Sequence, residues 1–307
     1  MSLSVASGVY AIAPTPFAES GAVDFDSIDR MVDFYQRWGV TGLTVLGVMG
    51  EAPKLEASES LAIVKRVIAR AERLPIIVGV SAPGFAAMRA LAQYSMQAGA
   101  AGVMIAPPNT LRSDDSIVGY YRQAVAAIGA EIPFVIQDYP LNFRVVMMPQ
   151  VIREIVCDNP SCAMLKHEDW PGLEKISALR AFQAEGSMRP ISILCGNGGL
   201  FLDFEMERGA DGAMTGYAFP DMLVDVVNLS KRGQRGEAHD LFDAHLPLLR
   251  YEQQPIVGLA VRKYVLAKRG AIANDAQRAP ASALSAMARA EVDFLLKRLA
   301  RMDARAG

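Results

Sequence analysis

Cysteine and histidine are both scarce in this chain. The three cysteines, Cys157, Cys162 and Cys195, are an odd number and form no C-x-x-C pair. That excludes a disulfide framework and fits a reducing compartment. The three histidines do not converge: His167 stands alone, and His239 and His245 fall in the C-terminal part. No metal site is therefore expected. Neither sign of charge dominates, with 31 basic against 33 acidic residues mixed along the chain. This removes the electrostatic footprint of a nucleic-acid or anionic-membrane binder. No apolar run reaches the length of a bilayer span. Residues 1–7 lack a basic segment followed by an apolar one, so no signal peptide is expected. A soluble, cytoplasmic protein is the expectation.

What is present is a repeat of strand and helix. Short apolar runs at 9–13, 42–46, 75–80, 103–106, 134–137, 162–165, 191–195 and 212–216 each end at a breaker. Seven of them are followed by stretches with apolar residues at helical spacing, such as Met31, Phe34 and Tyr35, or Leu61, Val64, Val67 and Ile68. The stretch after 191–195 is shorter and reaches Arg208. The run at 75–80 shows no polar alternation, as in a parallel sheet covered on both faces. Eight strand–helix units predict an α/β fold, a (β/α)8 TIM barrel, rather than an open doubly wound sheet. The absence of G-x-G-x-x-G after the first run argues the same way. From residue 236 only helical patterns remain, at 237–249, 255–269 and 283–301. The predicted organisation is a barrel over 1–235 with a C-terminal helical extension over 236–307. Leu295, Leu296 and Leu299 form a stripe expected to pack on the barrel.

Barrels of this kind carry their chemistry at the C-terminal ends of the strands. That nominates Thr15, residues 47–51, Ser81, 107–109, 137–139, Lys166, 196–199 and 215–217. Among eight lysines, at 54, 65, 166, 175, 231, 263, 268 and 297, only Lys166 follows an apolar strand-like run. The other seven read as polar helix faces or loops. Burial makes an ammonium costly and favours the free amine, the form that attacks a carbonyl. The ordinary alternative is a strand-end lysine reaching out to solvent. The turn Gly47, Val48, Met49, Gly50, Glu51 offers backbone amides to a carboxylate, or is a plain strand-to-loop turn. Tyr139 is a candidate general acid/base, or a packing aromatic. Gly196, Asn197, Gly198 and Gly199 form a candidate anion cup, with Thr215 on the neighbouring strand end.

Together these residues resemble the dihydrodipicolinate synthase / N-acetylneuraminate lyase family of class I aldolases. The resemblance rests on the G-x-x-G-E turn at 47–51, a tyrosine–proline pair after strand five, a lysine ending strand six, and Ala13-Pro14-Thr15-Pro16-Phe17. It extends to 209–212, to 263–270 and to the helical C-terminus, and so covers nearly the whole chain. It implies a lyase or aldolase that forms an imine between Lys166 and a 2-keto acid such as pyruvate, with no other cofactor. It also implies a homo-oligomer, dimer or tetramer.

Several positions depart from that pattern. Family hydroxyl residues are replaced by Val48 and Met49. The family tyrosine on strand five falls at Gln137, with Tyr139 two residues on. A second tyrosine would fall near Asn109, and a carboxylate-gripping arginine at Asn142, with Arg144 two residues on. Imine chemistry on a 2-keto acid other than that of dihydrodipicolinate synthesis is the preferred expectation. A non-catalytic 2-keto acid binding or sensing protein is the alternative.

Overall fold

The computed structural model describes residue 3 and residues 6–170 and 172–307. Eight parallel strands close in sequence order into a barrel, with β8 pairing back to β1. They are β1 Gly8–Ile12, β2 Gly42–Val45, β3 Ile76–Gly79, β4 Gly102–Ile105, β5 Phe134–Asp138, β6 Cys162–His167, β7 Ser192–Cys195 and β8 Gly212–Ala213. Around and beyond them run α1 Phe25–Arg37, α2 Ala57–Ala71, α3 Phe85–Ala98, α4 Asp114–Ile128, α5 Pro140–Phe143, α6 Pro149–Asp158, α7 Leu173–Ala184, α8 Leu202–Glu207, α9 Pro220–Lys231, α10 Arg235–Glu252, α11 Gly258–Lys268 and α12 Ala286–Leu299. This is the expected (β/α)8 barrel with helices at its C-terminal end. No helix among the described residues is long and apolar enough to cross a membrane.

Strand alternation sorts the side chains into two cores. Tyr10, Ile77, Met104, Val135, Met164, Leu194 and Met214 fill the barrel interior. Their odd or even neighbours, such as Ile136, Leu165 and Ile193, face the helices and join the larger outer core. The interior is therefore packed below and open only at the strand ends. The outer core also takes in Leu248, Val261 and Leu299 from α10, α11 and α12. Leu295 and Leu296 pack against it, as the apolar stripe predicts.

Local boundaries differ in places. Helix α2 starts at Ala57, because Glu56 and Glu59 cap each other's backbone, rather than at Ser58. The turn α5 was not expected; Pro140 sits in its first turn, where its missing N–H costs nothing. Strand β6 runs on through Lys166 to His167 instead of ending at the lysine. The expected start of the next helix, Pro171, and residues Met1, Ser2, Ser4 and Val5 of the N-terminal stretch lie outside the described residues.

Candidate active site

Among the described residues, six with φ in the left-handed region are not glycine: Leu46, Glu51, Glu72, Arg144, Asn197 and Ile256. Four of them, Leu46, Glu51, Arg144 and Asn197, lie in the loops after β2, β5 and β7. Backbone strain is thus concentrated at the C-terminal mouth of the barrel, as it is at many functional sites.

A cavity of about 70 Å³ opens at this mouth. Lys166, Glu168, Gln137, Tyr139, Val48, Met49, Asn197 and Thr215 all line it. The period-two rule explains the set on two adjacent strands. Val135, Gln137 and Tyr139 share one face of β5 and its extension; Met164, Lys166 and Glu168 share the matching face of β6. Gln137 stands beside Lys166 in the parallel ladder. His167, between the two charged residues, points the other way. It is buried, with Nδ1 3.2 Å from Glu205 Oε1.

Lys166 is 5% exposed and its Nζ lies 2.9 Å from Glu168 Oε1. Glu168 is equally buried and is held by two further donors. Gln137 Nε2 donates to Oε1 at 2.8 Å, and the Asn197 amide donates to Oε2 at 3.3 Å. Space for this carboxylate depends on Gly196: a Cβ there would lie 2.2 Å from Glu168 Cγ. The Tyr139 hydroxyl is pushed up to about 12 by burial first and by the Glu168 carboxylate second, with Arg262 opposing. It stays a phenol at neutral pH, which makes it a proton donor rather than a base.

The turn after β2 is a short 3-10 turn, Val48–Gly50. Thr15 Oγ1 donates to the Gly50 carbonyl at 2.6 Å and ties the turn to the end of β1. Glu51 accepts from Lys263 Nζ at 2.6 Å, from Lys54 Nζ at 2.8 Å and from the Arg278 amide at 3.2 Å. The first amides of such a turn have no acceptor inside it. Gly47 and Gly196 sit behind the lining residues and are buried. Asn109 and Arg144 are exposed and do not line this cavity.

Two features escaped the sequence. Glu168 was passed over, although its place two residues after Lys166 puts both on one strand face. Arg262 lines the cavity from α11, together with Gln253 just after α10. It is 2% exposed, its Nε donates to Glu252 Oε1, and its Nη1 is buried with no partner. A Cβ on Gly216 would come within 2.6 Å of that Nη1 and 3.1 Å of Met49 Sδ, so the arginine and the turn meet beside Gly216.

The lysines also need correcting. Lys166 is not alone in being buried: Lys175 is 8% exposed and Lys263 fully buried. Lys175 bridges Asp138 and Asp169 at 2.7 and 2.6 Å. Both had read as polar helix faces, because a helix pattern does not reveal a carboxylate waiting on a neighbouring element. A larger cleft of about 550 Å³ lies between α1 and the C-terminal helices, lined by Trp38, Lys268 and Arg305 among others. It contains no strand end.

A closed parallel barrel with a cavity at its strand ends places the chain among the (β/α)8 barrels. A sequence model of the Dihydrodipicolinate synthetase family matches residues 5–299, and the chain belongs to that family. It is similar to L-2-keto-3-deoxyarabonate dehydratase of Azospirillum brasilense, 28% identical over 297 residues, covering 95% of this chain and 94% of the relative. It is also similar to a probable 2-dehydro-3-deoxy-D-pentonate aldolase of Escherichia coli, 24% identical over 279 residues, covering 85% and 90% of the two chains. The crystal structure of dihydrodipicolinate synthase from Rhodopseudomonas palustris superposes with a TM-score of 0.95 at 67% identity, covering 96% of this chain and 98% of that one. The chain is thus an enzyme of a lyase family whose members act on small keto acids.

Proposed function

We propose that Lys166 forms an imine with the ketone carbon of pyruvate or another 2-keto acid, and that Glu168 is its proton partner. The observation that carries this reading is the buried Lys166–Glu168 contact of 2.9 Å inside the cavity. Glu168 takes the ammonium proton, and the freed amine adds to the ketone carbon. The ketone oxygen leaves as water, with one proton from the amine and the one Glu168 had taken, so Glu168 is a carboxylate again. The protonated imine then draws electrons from C3, and a C3 proton passes to a base. The resulting enamine adds to an aldehyde, or expels a C4 hydroxyl as water. In the reverse sense, the bond between C3 and C4 breaks. Glu168 serves as the base, since Tyr139 holds its proton at neutral pH and suits the donor role.

Gln137 stands where the family pattern has a tyrosine, and it spends its amide on Glu168. That supports a division of labour unlike the tyrosine relay of dihydrodipicolinate synthesis. Elimination or cleavage of a deoxy 2-keto acid is the favoured reaction, in keeping with the names of two full-length relatives. Residues 236–307 belong to the same catalytic unit as residues 1–235, because Gln253 and Arg262 line the cavity. The three free cysteines suit the cytoplasm. Exposed Leu141, Val146 and Met148 after β5 suit a homo-oligomer.

Incubation with pyruvate or deoxy 2-keto acids, then borohydride and peptide mass analysis, tests the reading. A reduced adduct on Lys166 is expected. Absence of any adduct across the panel, or an adduct on another lysine, overturns it.

A further inference from the structure

We infer that Arg262 is the carboxylate anchor of this site: its Nη1 binds the carboxylate next to the ketone that reacts with Lys166. The inference rests on the imine reading above and adds how the substrate's charge is recognised. Arg262 is a guanidinium half used and half waiting. On one side, Nε is committed to Glu252, which is itself buried and accepts the Ala218 amide at 3.3 Å. On the other side, Nη1 is shielded from bulk solvent, carries an N–H and meets no acceptor. A buried cationic donor without an acceptor is costly and calls for an explanation. An anion in the adjoining cavity supplies one.

Position argues for the carboxylate of the 2-keto acid itself. Nη1 lies beside Gly216 and Met49, next to the turn whose side chains Val48 and Met49 offer no hydroxyl. Recognition there falls to backbone amides and to this arginine. Charge balance argues the same way. Lys166 and Arg262 are the two cations lining the cavity. Lys166 faces Glu168, and its charge is tied to the imine nitrogen once substrate is bound. Of these two cations, Arg262 is the one that keeps a free charge and an unpaired donor once the imine has formed. A guanidinium is also the better group for this, because its fixed fork binds Glu252 and a substrate carboxylate from different edges.

The test compares pyruvate with pyruvamide, which keeps the ketone and loses the charge. The readout is borohydride trapping on Lys166 against ligand concentration, by intact mass. The native protein should reach half-labelling at a pyruvate concentration about 10²-fold lower than that for pyruvamide. Arg262→Met should abolish that preference to within a few-fold, and Arg262→Lys should restore part of it. Glu252→Gln/Arg262→Met removes both members of the pair, so it loses the preference without stranding a buried carboxylate. A purely structural arginine would change folding and leave the preference intact. Equal labelling by both ligands in the native protein, or an unchanged preference in any folded variant lacking the guanidinium, overturns the inference. Trapping of neither ligand nor any other 2-keto acid on Lys166 overturns the imine reading instead.

Discussion

Two buried lysines, Lys166 and Lys263, each face a glutamate, yet their surroundings differ. Lys263 is fully buried, gives 2.6 Å to Glu51 and 2.9 Å to the Ala276 carbonyl, and lies over the Phe17 ring. Its partners are all structural, and it is not among the residues lining the cavity at the barrel mouth. Among the described residues Lys166 has one ion-pair partner, Glu168, and it lines the cavity at the barrel mouth. A buried charge that is fully matched is a strut. A buried charge matched once, with room beside it, is available for chemistry. Burial alone, which singled out Lys166 in the sequence, does not separate the two cases; completeness of coordination does.

The comparison can be broken by exchanging what each lysine loses. Lys166→Met should lower turnover by about 10⁴-fold or more, as removal of a covalent nucleophile does. Some stability is lost as well, since Glu168 keeps only the neutral donors of Gln137 and Asn197, but the loss of turnover dominates. Steady-state kinetics and a denaturation curve check both halves; a large stability loss with little loss of turnover would make Lys166 the strut. Lys263→Met should reverse the pattern. It leaves Glu51 buried with a weaker complement and should cost about 3–5 kcal/mol, read from the urea midpoint. Turnover per folded molecule should fall only modestly.

The smallest effect concerns a third buried group. His245 accepts or donates at 3.1 Å with the Tyr217 hydroxyl and lies 3.0 Å from Asp303 Oδ2. Burial lowers its pKa below the usual 6.5, against the pull of Asp303 and with the help of Arg305. The unfolded chain therefore takes up a proton that the folded chain refuses. Its contribution to stability is complete above pH 6.5 and is lost as pH falls through the folded value. The slope for one such group is at most about 1.4 kcal/mol per pH unit. Unfolding midpoints between pH 7.5 and 5.5, in the native protein and in His245→Gln, should show the slope flatten in the variant.

The barrel was legible in the sequence because strand patterns, breakers and helical spacing are local. The eight apolar runs map onto the eight strands, and the strand-end rule led to most of the cavity wall. What escaped was either one register step away or far along the chain. Glu168 was missed because strand six was read as ending at Lys166, so the period-two rule was not carried one step further. Arg262 and Lys263 were missed because two adjacent basic residues on a helix look like a solvated face. Only the packing of α11 against the barrel mouth shows that they point at Met49 and Glu51. Asn109, nominated by the strand-end rule and the family resemblance, and Arg144, nominated by the resemblance, both lie on the exposed surface.

Helix α11 touches the turn after β2 at two places with two consecutive residues. Arg262 stands beside Met49 near the start of the turn, and Lys263 grips Glu51 at its end. The two contacts fix the helix against the turn at neighbouring points. Under the proposed anchoring, an arriving carboxylate meets donors whose freedom was surrendered when the chain folded. Little entropy is left to be lost at the moment of binding. A three-carbon acid, too small to gain much from contact area, profits most from such an arrangement.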